Sequence, residues 1–171
     1  IGARTDPQYG PFLMVGLGDF QYDAAAEMIR KLLKDAKDEG KKLRLNFRLG
    51  QCAYLTGKND QAIDLLGPIA ENAKAAEDVN LREAILFLGE AQLQAGKFAE
   101  AAKTLSRYIS ISKSDKPEVK YKLAVALLRS NQSAPAEQVL AELAKGSADS
   151  PWVARALFEY GQVCYNAHQP G

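Results

Sequence analysis

Leu49-Gly50-Gln51-Cys52-Ala53-Tyr54-Leu55-Thr56-Gly57-Lys58 returns as Leu88-Gly89-Glu90-Ala91-Gln92-Leu93-Gln94-Ala95-Gly96-Lys97. It returns more weakly over residues 123–132 and once more over 160–169. The small residue of each copy is Gly50, Gly89, Ala124 or Gly161, so successive copies stand 39, 35 and 37 residues apart. A near-constant period of this size marks a repeat array, in which each unit buries its apolar face against its neighbours.

Around these copies the chain is written for helix. Its 171 residues hold 27 Ala and 21 Leu against 17 β-branched residues, a composition with high helix and low strand propensity. Twelve positions after the small residue of the first three copies come Ala62, Ala101 and Ala136, each followed four residues on by Leu66, Leu105 or Leu140. Each unit therefore reads as two helices. Seven residues after the small residue the chain must leave the first helix through a left-handed conformation, which Gly adopts freely and Asn or His at modest cost. The residues there are Gly57, Gly96, Asn131 and His168, and Gly18 fits the same slot one period earlier.

This pattern resembles the tetratricopeptide repeat family over nearly the whole length. The resemblance implies an all-α fold, a right-handed superhelical solenoid of helix-turn-helix repeats, with the small residues where the paired helices cross most closely. The chain departs from the family in three ways. Asn46, Ile85, Lys120 and Leu157 stand where a large aromatic is usual, the closing proline is missing, and the units are longer than the usual ~34 residues.

The expected organisation is an irregular arm over residues 1–18, part of it packing as a short helical turn, followed by a repeat domain over 19–171. Within that domain the reading gives a half repeat 19–40, repeats 42–77, 80–113 and 116–147, and a half repeat 150–167. The helices are expected at 20–38, 42–56, 59–76, 81–95, 98–112, 117–130, 134–145 and 151–166, with no strands. Asn80 with Glu83 reads as a capping box, and Ser150 before Pro151 as a cap with a first-turn proline. The final helix lacks a mate for Trp152, Leu157 and Tyr160. Self-association through the exposed terminal helices, or fraying there, is therefore expected, as is continuation of the array in a longer parent protein.

Composition narrows the chemistry. With 22 basic against 21 acidic side chains, a net charge of +1 gives no broad footprint for nucleic acid or an anionic membrane. The longest apolar stretch, residues 12–17, is far short of the ~20 residues of a membrane-spanning helix. One histidine excludes a multi-histidine metal site, and its place in a turn denies a hydrolase triad a rigid base. Cys52 and Cys164 sit about three helix-to-helix steps of 8–10 Å apart, beyond disulfide reach, and read as small buried hydrophobes. Asp35, Asp38 and Glu39 alternate with lysines and read as a solvated helix end; the basic run Lys41, Lys42, Arg44, Arg48 reads as a solvated helix start, with contact to phosphate or an acidic peptide as the alternative. Neither a cofactor nor a metal is implied, and the chain reads as no enzyme.

By the resemblance, the second, fifth, ninth and twelfth positions of each repeat line a concave groove. These are Arg44, Phe47, Gln51 and Tyr54; Glu83, Leu86, Glu90 and Leu93; Glu118, Tyr121, Val125 and Leu128; and Arg155, Phe158, Gln162 and Tyr165. Family members that bind chaperone tails clamp a terminal carboxylate with Lys and Asn, where this chain has Phe47 and Gln51, so that clamp is absent. What remains suits a protein or peptide segment with apolar anchors and a few ionic contacts, with Phe47 and Tyr121 as the expected anchors. The leading reading is a non-catalytic interaction scaffold. Its long units are similar to those of bacterial envelope-assembly members, which favours periplasm or cell envelope over cytoplasm. The competing readings are an accessory segment of a larger enzyme or regulator, and helical-repeat RNA binding, against which Glu83, Glu90 and Glu118 on the lining face argue.

Overall fold

The computed structural model describes residues 4–6, 10–12, 19–72, 77–146 and 148–167. Two three-residue strands, β1 (Arg4–Asp6) and β2 (Gly10–Phe12), pair antiparallel with Thr5 opposite Pro11. Among the described residues eight helices follow: α1 (Asp19–Asp35), α2 (Glu39–Leu55), α3 (Asn59–Glu71), α4 (Val79–Gln94), α5 (Phe98–Ser112), α6 (Pro117–Arg129), α7 (Ser133–Gly146) and α8 (Pro151–Ala167). The hairpin corrects the expectation of an arm without strands; the rest of that arm, where a short helical turn was expected, lies outside the described residues. The helices α2 with α3, α4 with α5 and α6 with α7 form three complete units, with α1 in the place of a second helix before them and α8 in the place of a first helix after them.

The turns inside the units are copies of one hydrogen-bond pattern. After α2 the N–H of Gly57 donates to the Tyr54 carbonyl at 3.0 Å and that of Lys58 to the Ala53 carbonyl at 2.9 Å. Gly96 and Lys97 repeat this on Leu93 and Gln92, and Asn131 and Gln132 on Leu128 and Leu127. This is the Schellman closure, and its left-handed residue has φ of 72° at Gly57, 75° at Gly96 and 60° at Asn131. The corresponding His168, like Gly18, lies outside the described residues.

Helix starts and stops refine the expected limits. The Asp38 carboxylate accepts the Lys41 N–H at 2.6 Å, so α2 opens at Glu39 and α1 closes at Asp35, three residues earlier than expected. An extended Asn72 ends α3 at Glu71 instead of 76. The first turn of α4 starts from the Asp78 carbonyl, which accepts from Leu81 and Arg82. Asn80 therefore lies inside the helix and is not its cap, and its side chain is outside the description. Ser150 does cap α8, its hydroxyl accepting the Trp152 N–H at 3.4 Å.

Packing follows the small-residue rule. A Cβ built on Gly50 would stand 2.6 Å from Leu66 Cδ2, and one on Gly89 would stand 2.8 Å from Leu105 Cδ2. Ala62, Ala101, Ala124 and Ala136 are fully buried. One continuous core runs from Phe47 to Ala136, flanked by an α1–α2 cluster around Ile29, Leu45 and Leu49 and an α6–α8 cluster around Leu140, Leu143 and Val153. Each helix packs on the next, and the first helices also touch one another, α2 with α4, α4 with α6 and α6 with α8. Among the described residues no contact of that extent joins α3 to α5 or α5 to α7. The row of first helices is thus the tighter, inner side of the curve.

Gly50→Ala should destabilise the chain by about 1–3 kcal/mol, because Leu66 is fully buried and has nowhere to retreat. Gly161→Ala, in open space on α8, should stabilise it by about 0.5–1 kcal/mol through helix propensity. Denaturant unfolding of the two variants measures the opposite signs.

Candidate functional site

The inner face is built by four first helices. Steps of three, four and three residues place Arg44, Phe47, Gln51 and Tyr54 on one side of α2, and the same steps repeat on α4, α6 and α8. The sixteen side chains divide into a floor and a rim. Phe47, Leu86 and Leu128 are buried, and Glu90 is only 8% exposed. Arg44, Gln51, Tyr54, Glu83, Leu93, Tyr121 and Val125 are partly exposed, and Glu118, Arg155, Phe158, Gln162 and Tyr165 are open.

The floor is where neighbouring first helices meet. The Phe47 and Phe87 rings lie 6.2 Å apart and tilted, and Tyr54 meets Phe87 edge-on at 5.4 Å. Phe87, absent from the sequence-derived lining, is the ring that α4 sends between two positions of α2. Phe47 is therefore a packing residue, and its truncation reports on folding instead of capture. Its face also carries the Arg48 guanidinium, 5.3 Å from the ring centre.

A polar cluster joins three of the helices. Lys122 Nζ on α6 donates to Glu90 Oε1 on α4 and to Glu118 Oε1 one turn back on its own helix, both at 2.6 Å. Burial works against the ammonium charge, but the bonds to Glu118 and Glu90 outweigh it and raise the Lys122 pKa. Tyr54 on α2 takes part from the other side. Burial first, then the charge of the Glu90 carboxylate and the hydrogen bond to it, hold its hydroxyl far above the ordinary tyrosine range. Gln94 donates to the same Tyr54 oxygen at 3.2 Å. Lys122 was not among the sequence-derived positions, although its i,i+4 spacing from Glu118 is a readable signal.

Two expected lining residues are drawn aside. Glu83 accepts the Tyr108 hydroxyl at 2.8 Å from its own second helix, and Arg44 reaches Asp78 at 3.7 Å. Burial, then the bond to Glu83, pushes Tyr108 up to about 12. At the other end the Tyr121 ring lies 5.2 Å from Trp152, with Arg155 5.3 Å from the Trp152 ring centre. Tyr121, Ala154, Arg155, Phe158 and Glu159 line an open depression between α6 and α8. Cys52 is buried, with its thiol pKa raised by that burial, whereas Cys164 is only partly buried; the two form no disulfide.

The tetratricopeptide repeat family pattern matches residues 17–67 and again 93–157. The chain is also similar to a crystal structure of nearly identical TPR-like repeats from a Podosopora anserina protein described as a kinesin light chain. That match has 22% identity and a TM-score of 0.65 over 84% of this chain and 81% of that one. No curated protein sequence matches the chain. The chain belongs to the tetratricopeptide repeat family, and its fold is the all-α superhelical solenoid of that family. Repeats of this kind are protein-interaction scaffolds and generally non-catalytic. Among the described residues no helix is long and apolar enough to cross a membrane.

Lys122→Met should destabilise the chain by about 3 kcal/mol by leaving the Glu90 carboxylate buried without a counter-ion, and adding Glu90→Leu should restore most of the loss. A double-mutant cycle in denaturant reads both numbers. Tyr108 predicts a pH effect of fixed sign. Its folded pKa lies above the unfolded value of about 10, so its contribution is intact below pH ~10 and is lost as pH rises through about 12. Over that window wild-type stability should fall more steeply with pH than that of Tyr108→Phe.

Proposed function

We propose that the chain is a non-catalytic scaffold that holds a protein segment along the inner face of α2, α4, α6 and α8. The observation that carries this reading is the strip of partly exposed apolar and aromatic side chains, Tyr54, Leu93, Val125 and Tyr121, which opens at Arg155 and Phe158. Glu118, Lys122 and Arg155 flank it with both signs of charge. A backbone polyanion would meet carboxylates there, so a segment with spaced apolar side chains and a few ionic groups is the better fit than nucleic acid. The floor of the strip at Phe47, Leu86, Glu90 and Leu128 is buried, which suits an extended or helical segment making many shallow contacts. By similarity to the long-unit members of the family, the setting is assembly work in the bacterial envelope.

Selection of a random peptide library on the immobilised chain tests this. Enriched peptides should carry spaced apolar anchors. The variant Tyr121→Ala with Val125→Glu should weaken them by at least about tenfold, or 1.4 kcal/mol, with its helical circular dichroism retained. Lys103→Glu with Arg107→Glu, exposed on α5, should leave binding unchanged. Equal binding by the folded inner-face variant would move the site off this face.

A further inference from the structure

Among the described residues, α8 and α1 expose the two halves of the interface that joins the helices inside each unit. On α2 and α4 the small residue is covered by a leucine of the following second helix, Leu66 over Gly50 and Leu105 over Gly89. On α8 the same position is Gly161, and a Cβ there would meet nothing within 4 Å. Leu157, one turn earlier, is exposed, as are Phe158 and Tyr165. The helix α8 is thus a first helix presenting an open seat for a second helix.

At the opposite end α1 is a second helix whose face toward a preceding first helix is open. The small and large pair of each second helix is Ala62 with Leu66, Ala101 with Leu105 and Ala136 with Leu140, and Ala25 with Ile29 is the counterpart on α1. Ile29 is buried against α2. The position three residues after the large residue faces the helix's own first helix, as the Tyr108 bond to Glu83 shows. It is Ile69 at 2% exposure, Tyr108 at 2% and Leu143 at 1%, but Leu32 at 44% on α1. Met28, which matches the packed Leu65 and Val139, is also open.

We infer that α8 of one copy takes α1 of a second copy as its missing mate, so that copies add head to tail and the solenoid continues across the junction. The contact repeats an interface the chain already makes three times, α2 with α3, α4 with α5 and α6 with α7. The order of elements also fits. In each complete array a second helix is followed by a first helix, and α1 is followed by α2, which stands ready for Phe158 and Tyr165 as α4 does for Phe47 and Tyr54. Charge does not oppose the junction, since α8 carries one arginine and one glutamate and α1 carries both signs. The two surfaces differ, so the contact is heterologous and does not close at two copies.

The test uses two end-blocked forms of the full chain, both altered only at exposed positions. Met28→Glu with Leu32→Glu spoils the α1 end, and Leu157→Glu with Gly161→Glu spoils the α8 end. Light scattering after size exclusion should show the wild-type mass rising with concentration past two chains, and each blocked form alone staying at 18.6 kDa. Mixed together, the two forms should make a species of two chains and stop there, because one good end of each kind remains. A wild type that is monomeric throughout would overturn the proposal and assign the ends to a helix from another protein or from a longer form of this one. A singly blocked form that still dimerises would overturn it in favour of a symmetric contact.

Discussion

Everything in this solenoid depends on how closely the two helices of a unit can cross. Gly50 and Gly89 lie where a Cβ would already stand within 3 Å of a leucine, and that distance fixes the helix spacing, and through it the position of every other side chain. Once the helices approach so far, the leucine is sealed on all sides and the alanine one turn before it is sealed as well. A larger residue at the crossing would push the second helix outward and tilt all later units. The effect would accumulate, because each unit takes its orientation only from the unit before it.

The same spacing decides what the inner face can offer. First helices close enough to touch must fill the gap between them with their own large side chains, so Phe47, Phe87 and Tyr54 interlock across α2 and α4. The Glu90, Lys122, Glu118 and Tyr54 cluster does in polar terms what the rings do in apolar ones, holding α2, α4 and α6 at a set distance. It also makes the curve of the inner face sensitive to the charge on one lysine. A partner that displaced Lys122 would leave Glu90 buried without a counter-ion, so rigidity here comes from the cost of breaking the cluster.

The fold was legible because its constraint is written in residues that few others can replace. Gly50, Gly89, Ala124 and Gly161 give the period, and Gly57, Gly96 and Asn131 give the turns at left-handed φ values that most residues avoid. Both signals survive divergence of everything between them. The N-terminal hairpin was not legible, since strands of three residues around Pro7 and Pro11 carry no periodicity. Helix limits at Asp35, Glu39 and Glu71 shifted because caps such as Asp38 compete with link residues on equal terms. The candidate site was legible as a set of positions on one face. Its division into floor and rim was not, because the face a position occupies follows from spacing, whereas its exposure depends on the neighbouring helix. Phe47 and Phe158 hold the same repeat position; the first is sealed against Phe87 of α4, whereas the second, on α8, is exposed.

That contrast bears on how such a face binds anything. The large apolar residues at the fifth position are largely taken up by packing where a further first helix follows: Phe47 and Leu86 are buried, and Tyr121, stacked near Trp152, keeps only part of its ring exposed. What an interior unit has left is one or two half-exposed side chains, too few for a tight contact by themselves. Affinity must then accumulate over several units in register, which favours a partner segment that runs along the solenoid axis over one that inserts into a single pocket. Selectivity follows from the same geometry. The spacing of apolar side chains in the partner must match the rise from one first helix to the next, and a segment with the right composition but the wrong spacing would satisfy one unit and miss the others. The small residues at the crossings set that rise, so the constraint that builds the core also sets the spacing against which a partner is measured.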